Sequence, residues 1–125
     1  MSRVVDQAIV LRRTNYGEAD RVVSFITNNN GKVSVLARGV RKPKSKLAAG
    51  IEPFCVNEIC FMPGRGELST ITSAKIVKHH TNFLTDISRL ELAQQILKTI
   101  DKKVADNSSS DFFDFLKTAL EQVNS

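Results

Sequence analysis

The residues best equipped for chemistry in this chain are cations. The run Arg38-Gly39-Val40-Arg41-Lys42-Pro43-Lys44-Ser45-Lys46 carries five positive side chains in nine positions and no acid. Gly39 and Pro43 keep it out of regular structure, so its side chains splay from a loop. A phosphate backbone needs positive charges at short intervals, and this spacing supplies them. A solvated loop with no ligand has the same composition, so the run alone does not decide the matter. Arg12, Arg13, Lys32 and Arg65 add cations that could reach the same side of the molecule, and together they tip the reading toward nucleic acid. Tyr16 sits in a turn-rich stretch and is the aromatic best placed to stack on a base, a packing role with its hydroxyl satisfied being the alternative. Phe25, Phe54 and Phe61 stand among apolar strand residues and read as core. Phosphate contacts should therefore outweigh stacking, with low sequence specificity.

Catalytic and metal chemistry find little support. His79 and His80 are adjacent, so on a strand their side chains diverge, and no carboxylate or cysteine stands at ligand spacing beside them. Cys55 and Cys60 are five apart and form no CxxC, which leaves two small apolar residues in or near a strand. Gly64-Arg65-Gly66 lacks the rest of a dinucleotide fingerprint, and no phosphate-binding GxxxxGK[ST] or nucleophile-elbow GxSxG occurs. Glu18 and Asp20 share a turn, where carboxylates more often pair with neighbours such as Arg21 than act as acid and base. The chain reads as a binder, not an enzyme, with no cofactor and no metal.

The elements that must carry the basic loop follow from periodicity. The 125 residues are 42% apolar and 25% charged, enough for one core. No apolar run approaches the ~20 residues that span a bilayer. The opening MSRVVDQAIV lacks a signal-peptide hydrophobic region, so a cytoplasmic protein with no membrane role is expected. Charge is uneven: residues 1–80 hold 13 Lys+Arg against 6 Asp+Glu, and residues 81–125 hold 5 against 7. Residues 1–80 read as β. A first strand around Val5–Arg13 is apolar on both faces at its centre, and 15–20 is a turn. Arg21–Thr27 is a second strand, and Asn28-Asn29-Asn30-Gly31 a tight hairpin. Lys32–Arg38 alternates, with Val33, Val35 and Ala37 inward and Lys32, Ser34 and Arg38 on a solvated face, broken only by Leu36. Glu52–Met62 and Glu67–Lys78 complete five strands, which fit a small closed or nearly closed barrel.

Beyond residue 80 the period changes. Thr85 or Asp86 can cap a helix on which Ile87, Leu90, Ala93, Leu97, Ile100 and Val104 recur. A loop at 106–110 ending in a capping serine leads to a second helix bearing Phe112, Phe113, Phe115, Leu116, Leu120 and Val123. Two helices cannot cover these stripes alone, so they either begin a larger helical domain or pack on the barrel.

With these residues assembled, the chain resembles the RecO family. Ala8-Ile9-Val10-Leu11 followed by Asn15-Tyr16-Gly17-Glu18-Ala19-Asp20 is similar to its opening strand and YGExD turn. Phe25-Ile26-Thr27 with Gly31-Lys32, the run Ala37–Ser45, Glu52-Pro53-Phe54, and Gly66-Glu67-Leu68-Ser69 with Ala74-Lys75-Ile76 resemble further family blocks in the same order. The resemblance implies an OB-fold domain over 1–80 that binds single- and double-stranded DNA. It also implies annealing of complementary strands and help in loading RecA onto DNA coated by single-strand binding protein (SSB), with RecR as usual partner. Family members continue into a helical domain, often with a cysteine zinc site, that receives the acidic SSB tail. Residues 81–125 would be only the start of that domain, cut short before any such cluster. Arg38, Arg41, Lys42, Lys44 and Lys46 are the expected phosphate ligands, with Arg12, Arg13 and Lys32 extending the track and Tyr16 stacking. The competing reading is a protein-interaction module that binds an acidic partner through the basic barrel surface.

Overall fold

The computed structural model describes residues 3–104 and 111–125. Its strands are β1 (Val4–Tyr16), β2 (Asp20–Thr27), β3 (Lys32–Ala37), β4 (Val56–Met62) and β5 (Leu68–Lys78). They close in the order β1-β2-β3-β5-β4. Every pairing is antiparallel except β3 with β5. This is the five-stranded OB barrel, and closure leaves no free sheet edge. Two helices follow, α1 (Ile87–Lys103) and α2 (Asp111–Asn124).

Local chemistry sets the hairpin between β2 and β3. Gly31 takes a φ of +66°, and its carbonyl accepts from both the backbone N and the Oγ1 of Thr27. The buried carboxylate of Asp6 then ties this turn to β1. It accepts from the backbone N–H of Gln7 and Asn29 and from the side-chain amides of Asn29 and Asn30. A carboxylate so buried is tolerated because its oxygens are filled with donors.

β1 is buried on both faces at its centre. Ala8 and Val10 join Val23, Phe25, Val35, Ile59 and Phe61 inside the barrel. Ile9 and Leu11 join Ile26 and Val56 in a second core on the outside, completed by Ala93, Leu97 and Ile100 of α1 and by Phe113, Leu116 and Leu120 of α2. Full burial of each such side chain is worth about 1.5–3 kcal/mol. The helical stripes thus pack on the barrel through β1. Asp86 caps α1, accepting from the N–H of Ser88 at 3.0 Å and Arg89 at 3.3 Å. The expected serine cap of the second helix lies outside the described residues.

Two expectations are corrected. β1 continues through Tyr16, so the first turn is confined to residues 17–19. β1 also carries a bulge: Val10 faces Phe25 and Arg12 faces Ser24, leaving Leu11 unpaired. Residues 52–55 are not strand. A single 3₁₀ turn, Ala48–Ile51, precedes them, and Phe54 adopts a φ of 68°. Gly50 lets that turn sit on β5, for a Cβ there would lie 2.3 Å from the Ala74 backbone carbon.

Candidate nucleic-acid interface

The basic loop leaves β3 beside the β1–β2 turn, and the two are stitched together. The Asp20 carboxylate accepts from the Gly39 N–H at 2.7 Å. Arg41 donates from Nη2 to the Gly17 carbonyl at 2.6 Å, from Nε to the Asp20 carbonyl at 3.2 Å, and from its backbone N to the Ala19 carbonyl at 2.9 Å. Lys42 and Ser45 donate backbone N–H groups to the carbonyls of Gly39 and Lys42, folding the run into consecutive turns. Farther on, Gly50 and the 3₁₀ turn fasten its end to β5. A positively charged loop is thereby held at both ends.

The sequence-predicted ligands divide on this scaffold. Arg38, Lys42, Lys44 and Lys46 are exposed, and among the described residues none of the four forms an ion pair. Arg41 is half-buried and acts as the staple just described. Arg13 stands opposite the core residue Val23 and meets Glu52 at 3.8 Å. Burial lowers its pKa from the ordinary arginine value, Glu52 opposing that shift and Arg21 adding to it. Arg12 is largely exposed and lies 3.7 Å from Asp101 of α1. Lys32 is a correction: it is not on a solvated face. Its side chain is 12% exposed, its ammonium lies 3.0 Å from the Asp101 carboxylate, and it also donates to the carbonyls of Asp101 and Val104. A lysine enclosed in this way fastens α1 to β3. Tyr16 belongs to the end of β1 opposite Asp20, and the residue is 59% exposed.

Register reveals a surface that the sequence reading missed. Residues directly opposite in neighbouring strands share a face. Arg12, Thr14 and Tyr16 face Ser24, Val22 and Asp20. Val22 and Ser24 face Leu36 and Ser34, which in turn stand beside Thr70 and Leu68. The result is an outer face across β1, β2, β3 and β5 with small hydroxyls, three aliphatic side chains and Tyr16 at one corner. Ser24 Oγ and Ser34 Oγ lie 3.4 Å apart at its centre. Leu36, the residue that broke the polar alternation of β3, was the one signal for it.

A cleft of about 660 Å³ is lined by Arg13, Glu52, Phe54, Phe83, His80 and Gln94 among others. Phe54 and Phe83 pack with ring centroids 5.3 Å apart. His80 is buried, and its pKa is lowered by burial first and by Lys78 next, with Glu121 pulling the other way. Burial, then Glu52, pushes the Cys55 thiol up. Both cysteines are free. Among the described residues no group of three or more His, Cys, Asp or Glu side chains is placed to hold a metal, and no helix is long and apolar enough to cross a membrane.

Comparison with known proteins agrees with this architecture. The family described as Recombination protein O N terminal matches residues 1–80. A protein named DNA repair protein RecO from Heliobacterium modesticaldum is 38% identical over 112 residues, 90% of this chain and 41% of the relative. The protein of that name from Shouchella clausii is 34% identical over 118 residues, 94% of this chain and 46% of the relative. That from Bifidobacterium longum subsp. infantis is 36% identical over 105 residues, covering 83% and 44%. The chain thus spans less than half the length of these relatives. The match over 1–80 takes in all five strands of the barrel and the whole basic loop, and the chain belongs to the RecO family.

Proposed function

We propose that this chain is a DNA-binding module of recombinational repair, with the loop after β3 as its phosphate contact. The observation that carries the reading is the set of four exposed cations, Arg38, Lys42, Lys44 and Lys46, that form no ion pair among the described residues, on a loop anchored at both ends. Cations enclosed and tightly held by carboxylates gain little from a new anion. Cations held apart from acids retain their full attraction for one. The adjoining outer face, with Tyr16, Val22, Leu36 and Leu68, offers apolar and aromatic surface to sugars and bases that follow the backbone. Membership in the RecO family supports binding of both single- and double-stranded DNA, annealing of complementary strands, and assistance to RecA on SSB-coated DNA with RecR as partner. Arg13 and Arg12 lie at the margin of this track.

The test is fluorescence anisotropy with single-stranded and duplex oligonucleotides across a salt series. Four phosphates neutralised on a single strand give a slope of log K against log salt of about −3. Binding that ignores salt, or affinity for an acidic peptide with none for oligonucleotides, would overturn the reading. The latter result would favour a protein-interaction module instead.

A further inference from the structure

Arg12 and Lys32 converge on one carboxylate. Asp101 stands near the end of α1, with Lys32 Nζ 3.0 Å from one of its oxygens and Arg12 Nε 3.7 Å from the other. The two contacts are unequal. Lys32 is 12% exposed and also donates to two carbonyls at the end of α1, at 3.4 and 3.5 Å, where a helix leaves acceptors unfilled. Arg12 is 64% exposed, makes the longer contact, and shares the outer face with Ser24 and Thr14. One cation is locked and the other is loosely held.

We propose that Asp101 is an internal stand-in for a DNA phosphate, and that Arg12 is a phosphate arm it keeps in reserve. This rests on the DNA-binding reading above. Carboxylate and phosphate oxygens accept from a guanidinium in the same way, so a strand laid on the outer face competes for Arg12 directly. The exchange is favourable because Asp101 keeps Lys32. Departure of Arg12 does not leave a half-buried carboxylate without a counter-charge, which is what makes the breaking of enclosed ion pairs costly. The joint between barrel and helices therefore stays closed while one arm changes partner. Asp101 sets how much of the attraction of Arg12 is available to DNA.

A double-mutant cycle on the full chain, read by anisotropy with a single-stranded oligonucleotide, tests this. Asp101→Asn should tighten binding about threefold, within the range of a loosely held exposed pair. Arg12→Ala should weaken binding in both backgrounds, and by a larger factor where Asp101 is already Asn. Glu91→Gln, which removes the same charge from an exposed position of α1, should show no coupling with Arg12→Ala. Effects of Arg12→Ala and Asp101→Asn that simply multiply, or a Glu91→Gln gain equal to that of Asp101→Asn, would overturn the proposal. Should Asp101→Asn fail to fold, the Arg12 Nε–Hε resonance of the unmodified chain gives the answer. It should move when the oligonucleotide is added, and an unmoved resonance beside shifted loop signals overturns the idea. An unmodified chain that binds no DNA overturns this proposal together with the reading beneath it, whereas DNA binding without coupling overturns this proposal alone.

Discussion

Replacing Lys42, Lys44 and Lys46 together with alanine removes three exposed charges that form no ion pair among the described residues. Stability should therefore change by less than about 0.5 kcal/mol. DNA affinity should change far more. Each phosphate contact on a single strand contributes about 0.7 to the salt slope, so three make it shallower by about 2. At about 0.1 M salt each such contact is worth roughly fivefold relative to 1 M, and three together about a hundredfold. Arg41→Ala is the informative counterpart. Arg41 donates to the Gly17 and Asp20 carbonyls from within the same loop, so its loss should destabilise the fold by about 2 kcal/mol while leaving most of the salt slope in place. Anisotropy titrations across salt, paired with thermal melts, read both quantities. The reasoning is refuted if the triple variant keeps the slope of the unmodified chain. It is refuted equally if Arg41→Ala abolishes the slope with no change in melting temperature.

Other perturbations have equally definite outcomes. Gly50→Ala should cost about 2–3 kcal/mol in a urea melt, because its Cβ would meet the Ala74 backbone carbon at 2.3 Å and neither backbone can withdraw easily. Ile9→Ala should cost about 2–5 kcal/mol although it leaves the barrel interior intact, since Ile9 fills the outer core between β1 and the helices. His80, with its pKa depressed by burial, takes up its proton at lower pH in the folded protein than in the unfolded chain, whose ordinary value is near 6.5. Its contribution is complete above that pH and declines as pH falls from there toward the folded value. Thermal melts from pH 7.5 to 5 should show a steeper loss for the unmodified chain than for His80→Gln.

What the sequence made legible was what neighbouring residues decide among themselves. Asn28-Asn29-Asn30-Gly31 announces its hairpin because positive φ is a local demand that Gly31 satisfies. The centre of β1 reads as buried on both faces because Ala8, Ile9, Val10 and Leu11 leave no polar side, and two cores do claim them. The cationic loop was visible for the same reason: its charges are consecutive. Fates decided by distant partners were not visible. Lys32 looked like a solvated strand residue because Asp101, 69 positions away, gives no local sign that α1 ends over it. Arg41 is indistinguishable by type from Arg38, yet one holds the β1–β2 turn and the other is exposed with no ion pair among the described residues. The bulge at Leu11 and the positive φ of Phe54 carry no glycine to mark them. The outer face was missed because membership in it depends on register across four strands.

The two-sided burial of β1 bears on where this protein can be divided. A cut after residue 80 follows the family boundary but severs a shared wall: Ile9, Leu11, Ile26 and Val56 would lose the helices that shield them and become an oily stripe on an otherwise basic barrel. An excised barrel should therefore clump or recruit whatever apolar surface it meets. The amides at the middle of β1, sealed from both directions, should be among the last to exchange with solvent. The family match ends at residue 80, whereas the shared outer core predicts that barrel and helices melt together.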